Sequence, residues 1–255
     1  MAFAGICFNT ANLVGRATGY RFSLARWMDQ HDATIAKTDE REWGAICKEI
    51  AKAGYTAVEI WQAHADPSVM TEAKARIWKQ ALADHGLAPV AYAGGLTVDT
   101  ARVCTWLGIP HVDGGLGSRS AAEVAALCAR TGILANHENH PEQSPDEIKV
   151  RVAGGGDWVG VALDTGWLGT QGVDAPRAIH ELGPLVRHVH LKDVKAPGGH
   201  ETCPLGEGRV GVDDCLVTLK QAGYTGWISW EDEPEDRNPF DIAARMREWI
   251  DARIR

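Results

Sequence analysis

Four ionisable side chains stand at the ends of apolar segments in the second half of the chain. They are Glu138 in ILANHENHP, Asp164 in VGVALDTG, His190 in VRHVHLKD and Glu231 in WISWED. Three carboxylates and one imidazole form an oxygen-rich ligand set without cysteine, which suits Mn²⁺ or Mg²⁺ and also Zn²⁺. Each of these residues alone is more often a solvated surface group, but the set of four predicts a divalent-metal site, provided that the fold brings them together.

The elements that must position these residues alternate along the chain. Short apolar segments predict eight strands, at residues 3–9, 56–61, 89–94, 111–116, 133–138, 159–166, 186–193 and 227–232. Segments with helical periodicity predict eight helices, at residues 39–54, 70–86, 100–108, 120–132, 144–152, 174–183, 212–223 and 238–254. This alternation predicts an α/β protein with a (β/α)₈ TIM barrel as a single domain over residues 1–255.

The barrel prediction places the four residues at the same end of the molecule. In such a barrel the functional groups lie on the loops that follow the strands. A doubly wound sheet would also alternate, but the glycine-rich fingerprint expected after its first strand is absent. Two long connections, at 9–38 and 195–211, have the length of lids or binding loops.

Composition excludes several classes of function. A net charge of −8 argues against a nucleic-acid groove or a basic membrane contact, both of which need clustered positive charge. No apolar stretch reaches the length of about 18 residues that a bilayer span requires. The start, MAFAGICF, has no basic segment before a long apolar core, which predicts a cytoplasmic location. The six cysteines are scattered without a CxxC pair, as expected of reduced, buried thiols.

The motifs along most of the chain resemble those of a known family. They are HEN at 137–139, ALDTGW at 162–167, HVHLKD at 188–193, GEG at 206–208 and SWED at 229–232. Together they are similar to the sugar phosphate isomerase/epimerase group of xylose isomerase-like TIM barrels. The resemblance implies that Glu138, Asp164, His190 and Glu231 hold one divalent cation. It also implies that Glu138 and Glu231 act as acid and base on opposite faces of a ketose.

Two positions depart from that family pattern. Trp167 stands where family epimerases commonly have a histidine three residues after the metal-binding aspartate, and Ala196 stands where they often have an arginine. Both changes remove groups that bind substrate oxygens or a phosphate. Trp167 is a candidate apolar wall for a sugar ring, with ordinary packing as the alternative.

A weaker resemblance connects HEN and HETC…GEG with the metal-bearing subunit of C-glycoside deglycosidases and 3-keto-glycoside lyases. Those enzymes remove a proton from a 3-oxo sugar and expel the aglycone. The resemblance makes His137 a candidate base and adds a small second subunit as a candidate partner. Strict alternation turns His137 away from Glu138, so this role requires a bulge at the end of the strand.

Further candidates for substrate binding are His64, Trp167, Lys192 and Glu207. Each has an alternative interpretation: a solvated loop, packing, or an ion pair with a neighbouring carboxylate. The predicted function is metal-dependent removal of a proton next to the carbonyl of a sugar, as an isomerase or epimerase acting on a small carbohydrate. The alternatives are a keto-sugar lyase and a non-catalytic partner subunit, with a homo-oligomer or hetero-oligomer as the assembly. A zinc-dependent DNA-repair endonuclease is disfavoured by the acidic charge balance.

Overall fold

The computed structural model describes residues 2–21 and 23–255. Within these residues, eight parallel strands close into a barrel. The strands are β1 (Gly5–Asn9), β2 (Ala57–Trp61), β3 (Ala88–Ala93), β4 (His111–Asp113), β5 (Leu134–Glu138), β6 (Val159–Asp164), β7 (Val186–Leu191) and β10 (Trp227–Trp230). Each strand pairs with its neighbours in chain order, and β10 closes the barrel against β1. The predicted (β/α)₈ TIM barrel is confirmed.

Helices surround this barrel. They are α1 (Trp27–Lys37), α2 (Glu40–Lys52), α3 (Glu72–Asp84), α4 (Val98–Leu107), α5 (Ala121–Thr131), α6 (Pro145–Val152), α7 (Thr165–Thr170), α8 (Ala175–Leu182), α9 (Val212–Gln221) and α10 (Ala243–Ile254). A short hairpin, β8 (Asp193–Val194) with β9 (Thr202–Cys203), follows β7. Side-chain N-caps begin several helices: Ser120 and Glu123 form a capping box at α5.

Two of these helices differ from the sequence-based prediction. The segment 9–38 was expected to be a loop, but it contains α1, whose buried residues Gln30 and Thr34 are polar and therefore give no apolar periodicity. The strand expected at 159–166 ends at Asp164, because the carboxylate of Asp164 caps the short helix α7. Both differences lie at the mouth of the barrel, where they change the shape of the site.

The main apolar core lies between the barrel and the helices. Its largest fully buried side chains include Trp43, Trp78 and Trp230. The interior of the barrel is different, because charged and polar side chains fill part of it: Glu59, Asp113 and His188 are each fully buried there. No helix in the described residues has the length and apolar character that crossing a bilayer requires.

Candidate metal centre and active site

The barrel brings together the four residues that were predicted as metal ligands. One ligand atom from each of Glu138, Asp164, His190 and Glu231 lies within 4.8 Å of the others. The Nδ1 atom of His190 lies 2.8 Å from Oε1 of Glu138 and 2.9 Å from Oε2 of Glu231. Such a group of oxygens and one imidazole nitrogen has the size and chemistry of a divalent-cation site.

Strand register explains why these side chains meet. Asp164 on β6 pairs with His190 on β7, and His190 pairs with Ser229 on β10, two residues before Glu231. Asn139, which directly follows Glu138, connects the ends of β5 and β6. Its side-chain Nδ2 donates to the carbonyl oxygen of Asp164 at 3.0 Å, and its Oδ1 accepts from the backbone N–H of Asp164 at 2.8 Å. The Asn of HEN therefore holds two neighbouring strand ends together through hydrogen bonds.

The two oxygens of Asp164 have different surroundings. Oδ1 accepts the backbone N–H groups of Gly166 at 2.7 Å and Trp167 at 3.0 Å, at the first turn of α7. Oδ2 is buried and has no hydrogen-bond partner in the part of the chain that the structure describes. A buried carboxylate oxygen without a donor is unfavourable, and a cation would satisfy it. The glycine of ALDTGW is needed because a Cβ at Gly166 would lie 2.5 Å from Cγ of Lys192.

Lys192 lies inside this group of carboxylates. Its Nζ is 3.0 Å from Oε1 of Glu231 and 3.7 Å from Oδ2 of Asp164, and it also contacts Glu233. Burial lowers the pKa of Lys192, but Glu231, Glu233 and Asp164 outweigh burial and hold that pKa well above its usual value. Lys192 is thus a fixed positive charge within the site.

The same arrangement shifts the pKa values of two carboxylates in opposite directions. Burial raises the pKa of Glu231, but Lys192 and His190 outweigh it, so the net pKa lies below the usual value. Burial raises the pKa of Glu233 to about 8, against the opposing effect of Lys192. Glu231 is therefore held ionised, whereas Glu233 accepts a proton more readily. The carboxylates outnumber the cationic groups around them, which favours binding of a further cation.

A cavity of about 320 Å³ opens at this end of the barrel. Glu138, His190 and Glu231 line one side of it. Trp27 and Trp61, whose rings meet edge to face with centroids 5.4 Å apart, line another side. Trp167 also lines the cavity and packs against His140 with ring centroids 4.3 Å apart. Its role as an apolar wall for a sugar ring stays a prediction.

Residues without large side chains form the part of the cavity at the ends of β3 and β4. They are Ala93, Gly94, Gly114 and Gly115. A Cβ at Gly114 would lie 2.6 Å from the carbonyl oxygen of Gly94, so close packing of two backbones requires glycine there. This small-residue surface leaves room in the cavity next to Glu138, whose backbone N–H donates to the carbonyl of Gly114 at 3.3 Å.

The expectation that His137 faces a substrate does not hold in the structure. His137 is 1% exposed, and its Nε2 lies 3.0 Å from Oε1 of Glu142. Residues alternate along β5, which has regular pairing with β6, so His137 points away from the interior side that Glu138 occupies. The bulge that would turn both side chains to one face is not formed.

The expectation that Glu207 of the GEG motif binds substrate does not hold either. The carboxylate of Glu207 is about half exposed and pairs with Arg245 at 3.2 Å, and Glu207 does not line the cavity. The two glycines instead surround Asp193, which accepts the backbone N–H groups of Gly206 and Gly208 at 3.0 Å each. The motif therefore shapes a loop around Asp193.

His64 is buried away from the cavity. It is 3% exposed, and its ring packs against those of Trp43 and Trp61. Burial, and then the charge of Arg16, lowers the pKa of His64 to about 3. The expectation that His64 binds substrate does not hold, because its ring packs behind Trp61, which lines the cavity, whereas His64 does not.

This placement of His64 predicts a pH-dependent stability. Between about pH 6.5 and 3 the unfolded chain protonates His64 and the folded chain does not, so this contribution to stability is complete above pH 6.5 and is lost as the pH falls. In His64→Phe, the decline in the free energy of unfolding from pH 6.5 to 5 is expected to be shallower by about 1 kcal/mol per pH unit. Urea unfolding at pH 7, 6 and 5 measures this. Equal slopes in both proteins would contradict it.

Two groups of charged residues around the site were not among the residues predicted from the sequence. Glu233, with a positive φ of 49°, lines the cavity, and nothing in EDEPED indicates that turn. Glu59 and Asp113 lie inside the barrel. A signal for Glu59 exists, since TAVEIW puts a single charge in the middle of an otherwise apolar strand.

Comparisons with known proteins agree with this fold. Residues 117–253, more than half of the chain, match the family model described as xylose isomerase-like TIM barrel. L-ribulose-5-phosphate 3-epimerase UlaE of Salmonella paratyphi C is 42% identical over 76 residues, which cover 29% of this chain and 25% of that protein. The match thus spans about a quarter of the length of this curated relative.

Two solved structures share the architecture over almost the whole chain. D-allulose 3-epimerase from Methylomonas sp. is 16% identical with a TM-score of 0.71, and the alignment covers 99% of both chains. The probable 3-DHS dehydratase AsbF from Bacillus anthracis is 16% identical with a TM-score of 0.67, covering 97% of this chain and 98% of that one. At these identities the likeness concerns the fold. The family model and the shared architecture confirm the resemblance carried by the motifs: the chain belongs to the xylose isomerase-like TIM barrel family.

Proposed function

We propose that this protein is a divalent-metal-dependent enzyme that removes a proton next to the carbonyl group of a sugar, as a sugar epimerase or isomerase. One observation carries the proposal: Glu138, Asp164, His190 and Glu231 converge at a cavity, and three of them line it. The similarity to an L-ribulose-5-phosphate 3-epimerase supports the same reaction class.

The residues fit a single cation. Asp164 offers a buried oxygen that has no hydrogen-bond donor among the described residues, and Glu138, Glu231 and His190 offer two oxygens and one nitrogen beside it. We propose Mn²⁺ or Mg²⁺, with Zn²⁺ as the alternative, because three of the four ligand atoms are carboxylate oxygens. When bound, such a cation would polarise the substrate carbonyl and stabilise the negative charge that develops as the neighbouring proton leaves.

Two carboxylates are available to move protons. Glu138 ends β5 and Glu231 follows β10, so they reach the cavity from different strands with His190 between them. In the proposed reaction one carboxylate takes the proton from the carbon beside the carbonyl, and the electron pair of that C–H bond moves towards the carbonyl oxygen. The other carboxyl group, which carries a proton at the start, donates it to the opposite face of the same carbon as the electron pair returns from the oxygen, and this inverts the configuration.

The charge of the cavity favours a sugar without phosphate. None of the described residues that line the cavity is a lysine or arginine. The nearby cation, Lys192, is already paired with Glu231 and Glu233. A phosphate dianion would meet carboxylates and aromatic rings there, whereas a neutral sugar can stack an apolar face against Trp61 or Trp167. We therefore propose a free ketose or another uncharged keto-sugar as the substrate.

A lyase acting on 3-keto-glycosides is the second candidate. The tryptophan walls and the small-residue surface at β3 and β4 leave room for an aglycone. A similar fold also occurs in a protein described as a probable dehydratase. In this reaction the base would have to be one of the cavity carboxylates, since His137 is paired with Glu142 outside the cavity.

Proton exchange tests the proposal directly. The protein loaded with Mn²⁺ is incubated in D₂O with free ketoses, ketose phosphates and 3-keto-glycosides, and NMR follows the proton next to each carbonyl after the metal has been removed. We expect deuterium to enter a free keto-sugar, with a new epimer as product. Release of an aglycone would establish the lyase instead. Absence of exchange with every compound, together with absence of metal binding, would refute the proposed function.

A further inference from the structure

A second level of buried polar side chains lies beneath the cavity, inside the barrel. We call Glu59, Asp113, His188 and Ser229 the inner layer; each of them is 0% exposed. His188 and His190 are two residues apart on β7, so both point into the barrel, one level apart. The inner layer is therefore in direct contact with the underside of the candidate metal centre.

Glu59 connects the two levels. Its Oε1 lies 3.0 Å from Nε2 of His190. Its Oε2 accepts the hydroxyl of Ser229 at 2.6 Å and lies 3.0 Å from Nε2 of His188. A carboxylate without solvent is unfavourable unless hydrogen bonds satisfy it, and here both oxygens have partners on β7 and β10. These contacts fix Glu59 in one orientation.

The contact with Glu59 determines which nitrogen of His190 faces the cavity. Nδ1 of His190 lies between Glu138 and Glu231, and Nε2 points down to Glu59. An imidazole binds a cation through the lone pair of one nitrogen, while the other nitrogen keeps its hydrogen and donates it to an acceptor. Among the hydrogen bonds of the described residues, Oε1 of Glu59 is the acceptor available at Nε2.

We infer that Glu59 is a positioning residue: its carboxylate accepts the Nε2–H of His190 and holds Nδ1 toward Glu138, Asp164 and Glu231. The inference rests on the proposed function, because it requires a cation at those residues. Glu59 does not line the cavity, so it acts through His190 and has no contact with a substrate. A buried carboxylate in this role orients the ring and raises the basicity of the coordinating nitrogen.

Three residues of the inner layer together with His190 also have the composition of a metal site, but their geometry favours the positioning role. Atoms of Glu59, Asp113, His188 and His190 lie within 4.8 Å of one another. The oxygens of Glu59 are already bonded to His190, His188 and Ser229, so an ion there would have to displace these hydrogen bonds. Of this group only His190 lines the cavity, and the other three are 0% exposed.

Titration of the metal-free protein with Mn²⁺ tests the inference. We expect the wild type to bind one ion. Glu59→Gln keeps the shape of the side chain but loses the charge and one acceptor oxygen, and we expect its affinity for Mn²⁺ to fall about 10-fold to 100-fold. The matched control is Asp113→Asn, which removes another buried carboxylate of the inner layer that has no hydrogen bond to His190. Its affinity should stay within about threefold of the wild type, with circular dichroism showing that both variants fold.

The outcomes separate this inference from the proposed function. If the wild type binds none of Mn²⁺, Mg²⁺ and Zn²⁺, the metal site of the proposed function fails and the inference fails with it. If the wild type binds one ion and Glu59→Gln binds as tightly, only the inference is overturned. An equal loss in Asp113→Asn would assign the effect to buried charge in general and would also overturn it, as would binding of a second ion that the Glu59 variant loses.

A measurement on the wild type keeps the inference testable if Glu59→Gln does not fold. Protein labelled with ¹⁵N at histidine is loaded with Zn²⁺, which is diamagnetic, and long-range ¹H–¹⁵N spectra identify the nitrogen that carries the hydrogen in each ring. We expect His190 to carry it on Nε2, with slow exchange with solvent because the site is buried. A hydrogen on Nδ1, or rapid exchange at Nε2, would overturn the inference.

Discussion

Glutamine in place of Glu231 is expected to reduce turnover of the substrate by at least about 1000-fold and to leave the barrel folded. The change removes a candidate metal ligand and a candidate proton carrier at once, and loss of a general base alone lowers rates by roughly 100-fold to 10,000-fold. Lys192 and His190 hold the pKa of Glu231 below its usual value, so the wild-type carboxylate is unprotonated and has a lone pair for the substrate proton. A neutral amide cannot do so.

Stability should change little in this variant. Lys192 keeps its contacts with Glu233 and Asp164, and the amide can still accept from Lys192 or Asn9. Removing the negative charge loses its attraction to Lys192 and His190, which is partly offset because repulsion from Glu59 is also removed. We expect a loss of at most about 2 kcal/mol, which in a chain of this length corresponds to a fall in Tm of roughly 4–8 °C.

Steady-state kinetics of the Mn²⁺-loaded enzyme and a thermal melt of the metal-free protein measure the two effects. Glu207→Gln is the matched control, because it makes the same chemical change at a half-exposed residue that pairs with Arg245 outside the cavity. Its turnover and Tm should equal those of the wild type. Turnover that survives in Glu231→Gln would remove this carboxylate from the mechanism, and unfolding of that variant would assign it a structural role.

The sequence predicts the candidate ligands because their positions depend on rules that act locally. Glu138 and Asp164 end their strands, and His190 lies one residue before the end of its own. Parallel strands in a barrel end on the same side, and alternation then decides which residues point inward. The same rule turns His137 away from the cavity, as the structure shows.

The loops around the cavity could not be predicted in this way, because long-range contacts determine them. Helix α1 buries polar residues, so its sequence lacks the apolar period that marks a helix. Glu233 reaches the cavity through a turn with a positive φ, which no glycine or asparagine marks in the sequence. The role of Glu59 depends on contacts with residues 129, 131 and 170 positions away, which no local pattern shows.

Asp193 provides the largest expected effect on stability. This buried carboxylate directly follows the Lys192 of HVHLKD and organises the loop that contains GEG. Its Oδ2 accepts the backbone N–H groups of Gly206 and Gly208, and its Oδ1 accepts those of Val194 at 3.0 Å and Val210 at 3.1 Å. A Cβ at Gly208 would lie 2.1 Å from Oδ1, so the glycine and the aspartate require each other.

We expect Asp193→Ala to lower the free energy of unfolding by about 3–5 kcal/mol, because four backbone donors lose a charged acceptor and water replaces it only in part. Asp174→Ala is the control, since Asp174 accepts a single backbone N–H, that of Arg177, and caps an exposed helix end. Loss of such a cap costs about 1 kcal/mol. Urea unfolding at neutral pH compares the two variants with the wild type. Equal losses in both would show that the loop does not depend on Asp193, and that the GEG glycines are present for another reason.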